Sequence, residues 1–243
     1  MILEVCVDSF SSLKTALEAG ADRIELCSAL SLGGLTPGYG LLKMAEKVKD
    51  KEIFVMIRPR SGDFFYDDDE FNTMLMDVDI VKNMGYSGIV IGMLLKDGKF
   101  DIIRMKNLIR AAYPLRVALH RAFDYAKNPE DDINTLISMG ICRILTAGEK
   151  PDALEGAPYI KDIQDRYGAN IGIMPGGGVN AGNIEEIFAI TGCTNYHLSG
   201  RKSYMSSMKY KALGSENEYV FEKADFNKIK AARVVLDKIK DKI

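Results

Sequence analysis

The chain of 243 residues has no tryptophan and only two histidines, His120 and His197. Imidazole chemistry therefore has two candidate positions and no more. Its four cysteines, Cys6, Cys27, Cys142 and Cys193, form no CxxC pair, which removes the common zinc-ribbon and dithiol redox patterns. The HExxH and HxxxH spacings of zinc hydrolases are also missing. No apolar run approaches the ~18 residues that cross a bilayer, so no membrane partner is expected. The net charge is only −2, which gives no basic footprint for nucleic acid. A basic n-region with a cleavage site is not seen either. With unpaired thiols in a chain large enough to need no staples, the expectation is a reducing, cytoplasmic setting. Linkers and low-complexity tracts are lacking, so the reading is one domain over 1–243.

What is present is a repeated grammar. Short apolar runs at about 2–7, 22–27, 53–58, 88–92, 116–121, 142–146, 170–174 and 195–199 read as strands. Amphipathic stretches with helix signals lie between them. SSLKTALEAGA has serines at its start and Gly20 at its stop. DDDEFNTMLMDVDIVKNMG has acids in its first turn. NPEDDINTLISMG and NAGNIEEIFAITG repeat the pattern. Eight β/α units in this length predict an α/β fold, a single (β/α)₈ TIM barrel, with an open doubly wound sheet as the alternative. The segment 201–224 after the last strand is too long for a routine connection and reads as a cover or a partner surface.

In such a barrel the chemistry lies at the C-terminal ends of the strands, and side chains alternate inward and outward. The inward candidates are Glu4 and Cys6, Arg23, Glu25 and Cys27, Met56, Arg58 and Arg60, Thr146, and His197 with Ser199. In VALHRAFD either His120 or Arg121 faces in, and shared parity with Ala118 favours His120. Glu4, Glu25 and Arg58 could equally form an ion-pair network that braces the barrel, since buried charges must be paired. Strand seven runs into Gly176-Gly177-Gly178 and strand eight into Ser199-Gly200-Arg201. Loops at these places commonly cradle phosphate, so these residues, with Arg60, are anion-site candidates. Glu25, His120 and Arg58 are the catalytic candidates for a small phosphorylated or carboxylated substrate. No lysine falls at an inward strand end, which argues against Schiff-base chemistry.

The segments EVCVDS, ADRIELCSALSLGGLTPGYG, VMIRPRSGDFFY, ALHRAFD, RILTAG, IMPGGGV, YHLSGR and SSMKY together resemble the CutC family of copper homeostasis proteins, in order and from residue 2 to about 210. The resemblance implies a (β/α)₈ barrel, a cytoplasmic location and a homodimer or higher homo-oligomer. It also implies copper handling, with Cu(I) as the bound ion and Cys6 and Cys27 as its ligands. The residues are compatible with that role. Both thiols follow a glutamate by two residues on neighbouring strands. Two thiolates sharing a metal stand roughly 4.6 Å apart, and soft thiolates select Cu(I). The alternative is a TIM-barrel enzyme that acts on a small phosphorylated or carboxylated substrate at the C-terminal mouth of the barrel.

Overall fold

The computed structural model describes residues 1–48, 50–210 and 219–242. Its eight parallel strands are β1 (Ile2–Val7), β2 (Arg23–Leu26), β3 (Glu52–Met56), β4 (Gly88–Ile91), β5 (Arg116–Leu119), β6 (Ile141–Thr146), β7 (Gly172–Pro175) and β8 (Asn195–Leu198). The spatial order is β7-β6-β5-β4-β3-β2-β1-β8, and a parallel bridge from Gly176 to His197 brings the two ends together. The sheet is thus a nearly closed barrel rather than the open alternative.

Helices α1 (Phe10–Glu18), α2 (Tyr39–Ala45), α3 (Asp68–Asn83), α4 (Ile102–Ala112), α5 (Ile133–Ser138), α6 (Ala157–Tyr167), α7 (Ile184–Thr191) and α8 (Phe226–Lys240) alternate with the strands. Their starts follow local chemistry. Ser9 accepts from the Ser12 amide to cap α1. Asp67 and Glu70 form a reciprocal capping box on α3. Asp101 and Asp225 cap α4 and α8. The segment 128–139 departs from the continuous helix that its pattern predicts. Asn128 takes a left-handed conformation, a 3₁₀ turn covers Pro129–Asp132, and α5 starts only at Ile133.

Apolar side chains facing away from the barrel axis, such as Leu3, Val5, Ile24, Val55 and Ile89, pack under the helices. A smaller cluster of Cys6, Cys27, Leu30, Phe54, Met56, Val90 and Ala118 fills the barrel interior. Phe54 is its centrepiece, and it requires glycine opposite: a Cβ on Gly88 would meet the Phe54 ring at 2.3 Å. Below this cluster Glu4 is fully enclosed. It accepts hydrogen bonds from Arg23 and, at 2.7 Å, from Arg143. The Arg143 guanidinium also lies 3.7 Å over the Phe54 ring. Burial alone would raise the Glu4 carboxyl, but Arg143, Arg23 and His197 together hold it at about 2. Glu4 therefore belongs to the bracing network.

Residues 201–224 begin and end as an antiparallel hairpin, β9 (Arg201–Met205) with β10 (Val220–Ala224). It leaves Tyr204, Met205, Val220 and Phe221 exposed, and it joins the barrel where the Ala224 amide donates to Ser12 Oγ at 3.1 Å.

Candidate functional site

A cavity of about 860 Å³ opens at the C-terminal ends of the strands. Cys6 and Glu25 enter it from β1 and β2, Arg58 from the end of β3, and His120 from the end of β5. His197 and Ser199 enter from β8. These are the positions that strand alternation aims inward.

Three potential ligand side chains converge on the β1–β2–β8 side. One ligand atom each of Cys6, Glu25 and His197 lies within 4.8 Å of the other two, and all three residues are buried. His197 Nε2 is 3.0 Å from Glu25 Oε2 and 4.0 Å from Glu4 Oε1. Burial would lower the His197 pKa, but Cys6 and Glu25 raise it well above the usual imidazole value. Cys27 lies next to this group and outside the cavity lining. Its thiol donates to Glu25 Oε2 at 3.7 Å. Burial pushes that thiol pKa well up, and the neighbouring Glu25 and Cys6 push it further. The donor atoms that meet are those of Cys6, Glu25 and His197, and Cys27, the second ligand that the resemblance implies, lies beside them with its thiol against Glu25.

The β3–β5 side carries nitrogen donors. His120 Nδ1 accepts from the Ala122 amide at 3.1 Å, so its proton resides on Nε2. Burial, with Arg58 adding to it, lowers its pKa to about 3, and the ring is neutral. The ring stacks 4.8 Å from Phe64. It also needs a glycine beneath it, since a Cβ on Gly92 would meet His120 Cε1 at 2.4 Å. Arg58 donates to the carbonyls of Leu32, Gly34 and Gly62 at 3.2, 3.1 and 2.8 Å. It thereby ties the loops after β2 and β3 to the barrel mouth. Both His120 and Arg121 line the cavity; Arg121 does so from the rim, paired with Asp124 at 2.8 Å.

The anion candidates divide. Gly177, Gly178, Ser199, Gly200 and Arg201 line the cavity, while Gly176 backs His197. Arg60 is away from the cavity lining. Its guanidinium is engaged by Glu70 at 2.5 Å and Asp63 at 2.9 Å. The physical reason is that β3 ends at Met56, so strict alternation no longer governs residue 60. Thr146 points to Asp124 instead of the mouth. Several lining residues escape a strand-by-strand reading. Phe64 comes from the loop after β3, and Asn227 and Lys228 come from the first turn of α8. The aromatic pair in SGDFFY is the one local signal that points to Phe64.

The fold and the site define the chain as a (β/α)₈ barrel protein with a buried Cys–His–Glu group at the C-terminal mouth of the barrel. Comparison with known proteins then identifies the family. The CutC family model matches residues 1–202. A CutC family protein from Pasteurella multocida is 42% identical over 98% of this chain and 100% of its own length. The human copper homeostasis protein cutC homolog is 39% identical over 98% of this chain and 90% of its own. A crystal structure of CutC from Streptococcus agalactiae superposes with a TM-score of 0.77 at 32% identity, covering 81% of this chain and 97% of that one. The chain belongs to the CutC family.

Proposed function

We propose that the protein serves copper homeostasis by binding Cu(I) at the barrel mouth, with Cys6 and His197 as the principal ligands and Glu25 beside them. The observation that carries this reading is the single group of three donor atoms within 4.8 Å, all buried, found among the described residues. A thiolate and an imidazole are donors that Cu(I) accepts readily, and a carboxylate is a weaker partner for so soft an ion. A ligating imidazole binds without its second proton, and the raised pKa of His197 means that copper uptake displaces that proton to solvent. Cys27 serves here as a reserve sulfur, because its thiol is held protonated behind Glu25. The four free cysteines accord with a reducing, cytoplasmic location. The exposed Tyr204, Met205, Val220 and Phe221 of the hairpin are apolar surface that a homodimer would cover.

The test is a competition titration of the reduced full chain with Cu(I) against a chromogenic chelator, without oxygen. Cys6→Ser is expected to weaken Cu(I) binding by about 100-fold, or roughly 3 kcal/mol, and Cys27→Ser by less than about 10-fold. Equal affinity in wild type and Cys6→Ser would remove the proposal.

A further inference from the structure

The copper reading uses one wall of the cavity and leaves the other walls without a role. An ion fills a small fraction of about 860 Å³, a volume typical of sites for small organic molecules. The remaining walls carry unused donors. His120 Nε2 and Arg58 Nε are buried and have no hydrogen-bond partner. Their residues are 3% and 5% exposed, and both line the cavity. Buried polar groups are nearly always paired; Arg143 Nε and Arg233 Nε are also unpartnered but lie away from the cavity, whereas His120 Nε2 and Arg58 Nε belong to residues that line it, where a ligand atom can meet them. Both are donors: His120 Nε2 carries the ring proton because Nδ1 accepts from Ala122, and guanidinium never accepts. Among the described residues no carboxylate is paired with Arg58. Its positive charge is therefore buried against backbone carbonyls and the face of Phe64, at 4.8 Å, with no carboxylate to neutralise it.

Around the barrel, β8 lies across from β4, which β3 and β5 flank. The wall opposite His120 and Arg58 is formed by the end of β8 and the start of α8. There Arg201 Nε is also buried without a partner, although its Nη1 reaches Glu222 at 2.5 Å. Lys228 Nζ donates to the Arg201 carbonyl at 2.7 Å, which leaves ammonium donors free. Both residues line the cavity beside Ser199 and Gly200. Met56, Phe64, Leu145 and Val179 cover the space between the two ends with apolar surface.

We infer that the barrel mouth is a two-ended binding site for a small phosphorylated organic acid, with a carboxylate or carbonyl oxygen held by His120 and Arg58 and a phosphate-like group held by Arg201 and Lys228. A neutral imidazole donating from Nε2 polarises an oxygen without surrendering its proton, which suits a carboxylate or carbonyl acceptor. The mobile-donor pair of arginine and lysine at the rim suits a group with several acceptor oxygens. This site uses none of the copper ligands, so it stands or falls independently of the Cu(I) reading.

The test is calorimetric titration of the metal-free, reduced full chain with 3-phosphoglycerate, inorganic phosphate and glycerate, with glycerol as the neutral control. The expected result is saturable binding of 3-phosphoglycerate at least about 10-fold tighter than either half-ligand, since linked contacts reinforce one another. His120→Asn keeps an acceptor for the Ala122 amide and withdraws the Nε2 donor. It should weaken glycerate and 3-phosphoglycerate about 10-fold and leave phosphate unchanged. Arg201→Gln lies at the rim, outside the barrel core. It should weaken phosphate and 3-phosphoglycerate about 10-fold and leave glycerate unchanged. Absence of saturable binding by all three acids overturns the inference, as does binding that neither variant changes. An effect confined to Arg201→Gln in a folded His120→Asn background overturns the two-ended site.

Discussion

His120 is neutral because of where its ring lies: against Phe64, over Gly92 and next to the buried cation of Arg58. Its folded pKa of about 3 is below the ordinary imidazole value of 6.5. The unfolded chain therefore binds a proton at His120 between those two values and the folded chain does not. Stability contributed by the neutral ring is present above about pH 6.5 and is lost as pH falls toward 3, at up to about 1.4 kcal/mol per pH unit. Urea unfolding measured from pH 7 to 4 should show this slope in wild type and a shallower one in His120→Asn. Equal slopes would show that His120 gains its proton without penalty. At the same scale, Cys27 is fully buried and its thiol is pushed well up. It should resist iodoacetamide at pH 8 in the native chain and react after denaturation, as mass spectrometry of the labelled peptide would show.

Individual elements set how the mouth is built. Glu4 on β1, Arg23 on β2 and Arg143 on β6 brace the barrel floor around Phe54. Glu4→Gln leaves two buried guanidinium groups without their shared carboxylate, and is expected to destabilise the fold by about 3–5 kcal/mol in chemical denaturation. A loss below about 1 kcal/mol would contradict the bracing role. The strands were legible because their apolar runs are short and separated by helix signals; β1, β4 and β5 fall within two residues of where the pattern puts them. Alternation likewise aims Cys6, Glu25, His120 and His197 inward. It could not place Arg60, because that residue follows the strand by four positions and its charge is taken up by Glu70 and Asp63. Nor could it bring His197 against Glu25, since that contact spans 172 positions and depends on barrel closure. The entry of His197 into the donor group has the same origin. Equal spacing from a preceding glutamate fixes parity, whereas the β1–β2 register pairs Cys6 with Glu25 and not with Cys27.

For the molecule as a whole, the barrel has all eight units and a hairpin that the barrel does not need for closure. Tyr204 and Phe221 stack at 6.2 Å on that hairpin and stay exposed. The double variant Tyr204→Ser/Phe221→Ser should leave barrel stability within about 1 kcal/mol, because exposed substitutions seldom do more. It should shift the elution of the protein toward a smaller species if the hairpin forms a homodimer, and light scattering at several concentrations would read this directly. An unchanged mass, equal to that of wild type, would take the hairpin out of the interface. The most direct measurement of the central claim is X-ray absorption at the copper edge of the Cu(I)-loaded full chain. The expected result is a first coordination shell with one sulfur and one imidazole nitrogen, from Cys6 and His197. A shell of two sulfurs without imidazole, or one with no sulfur at all, would contradict it.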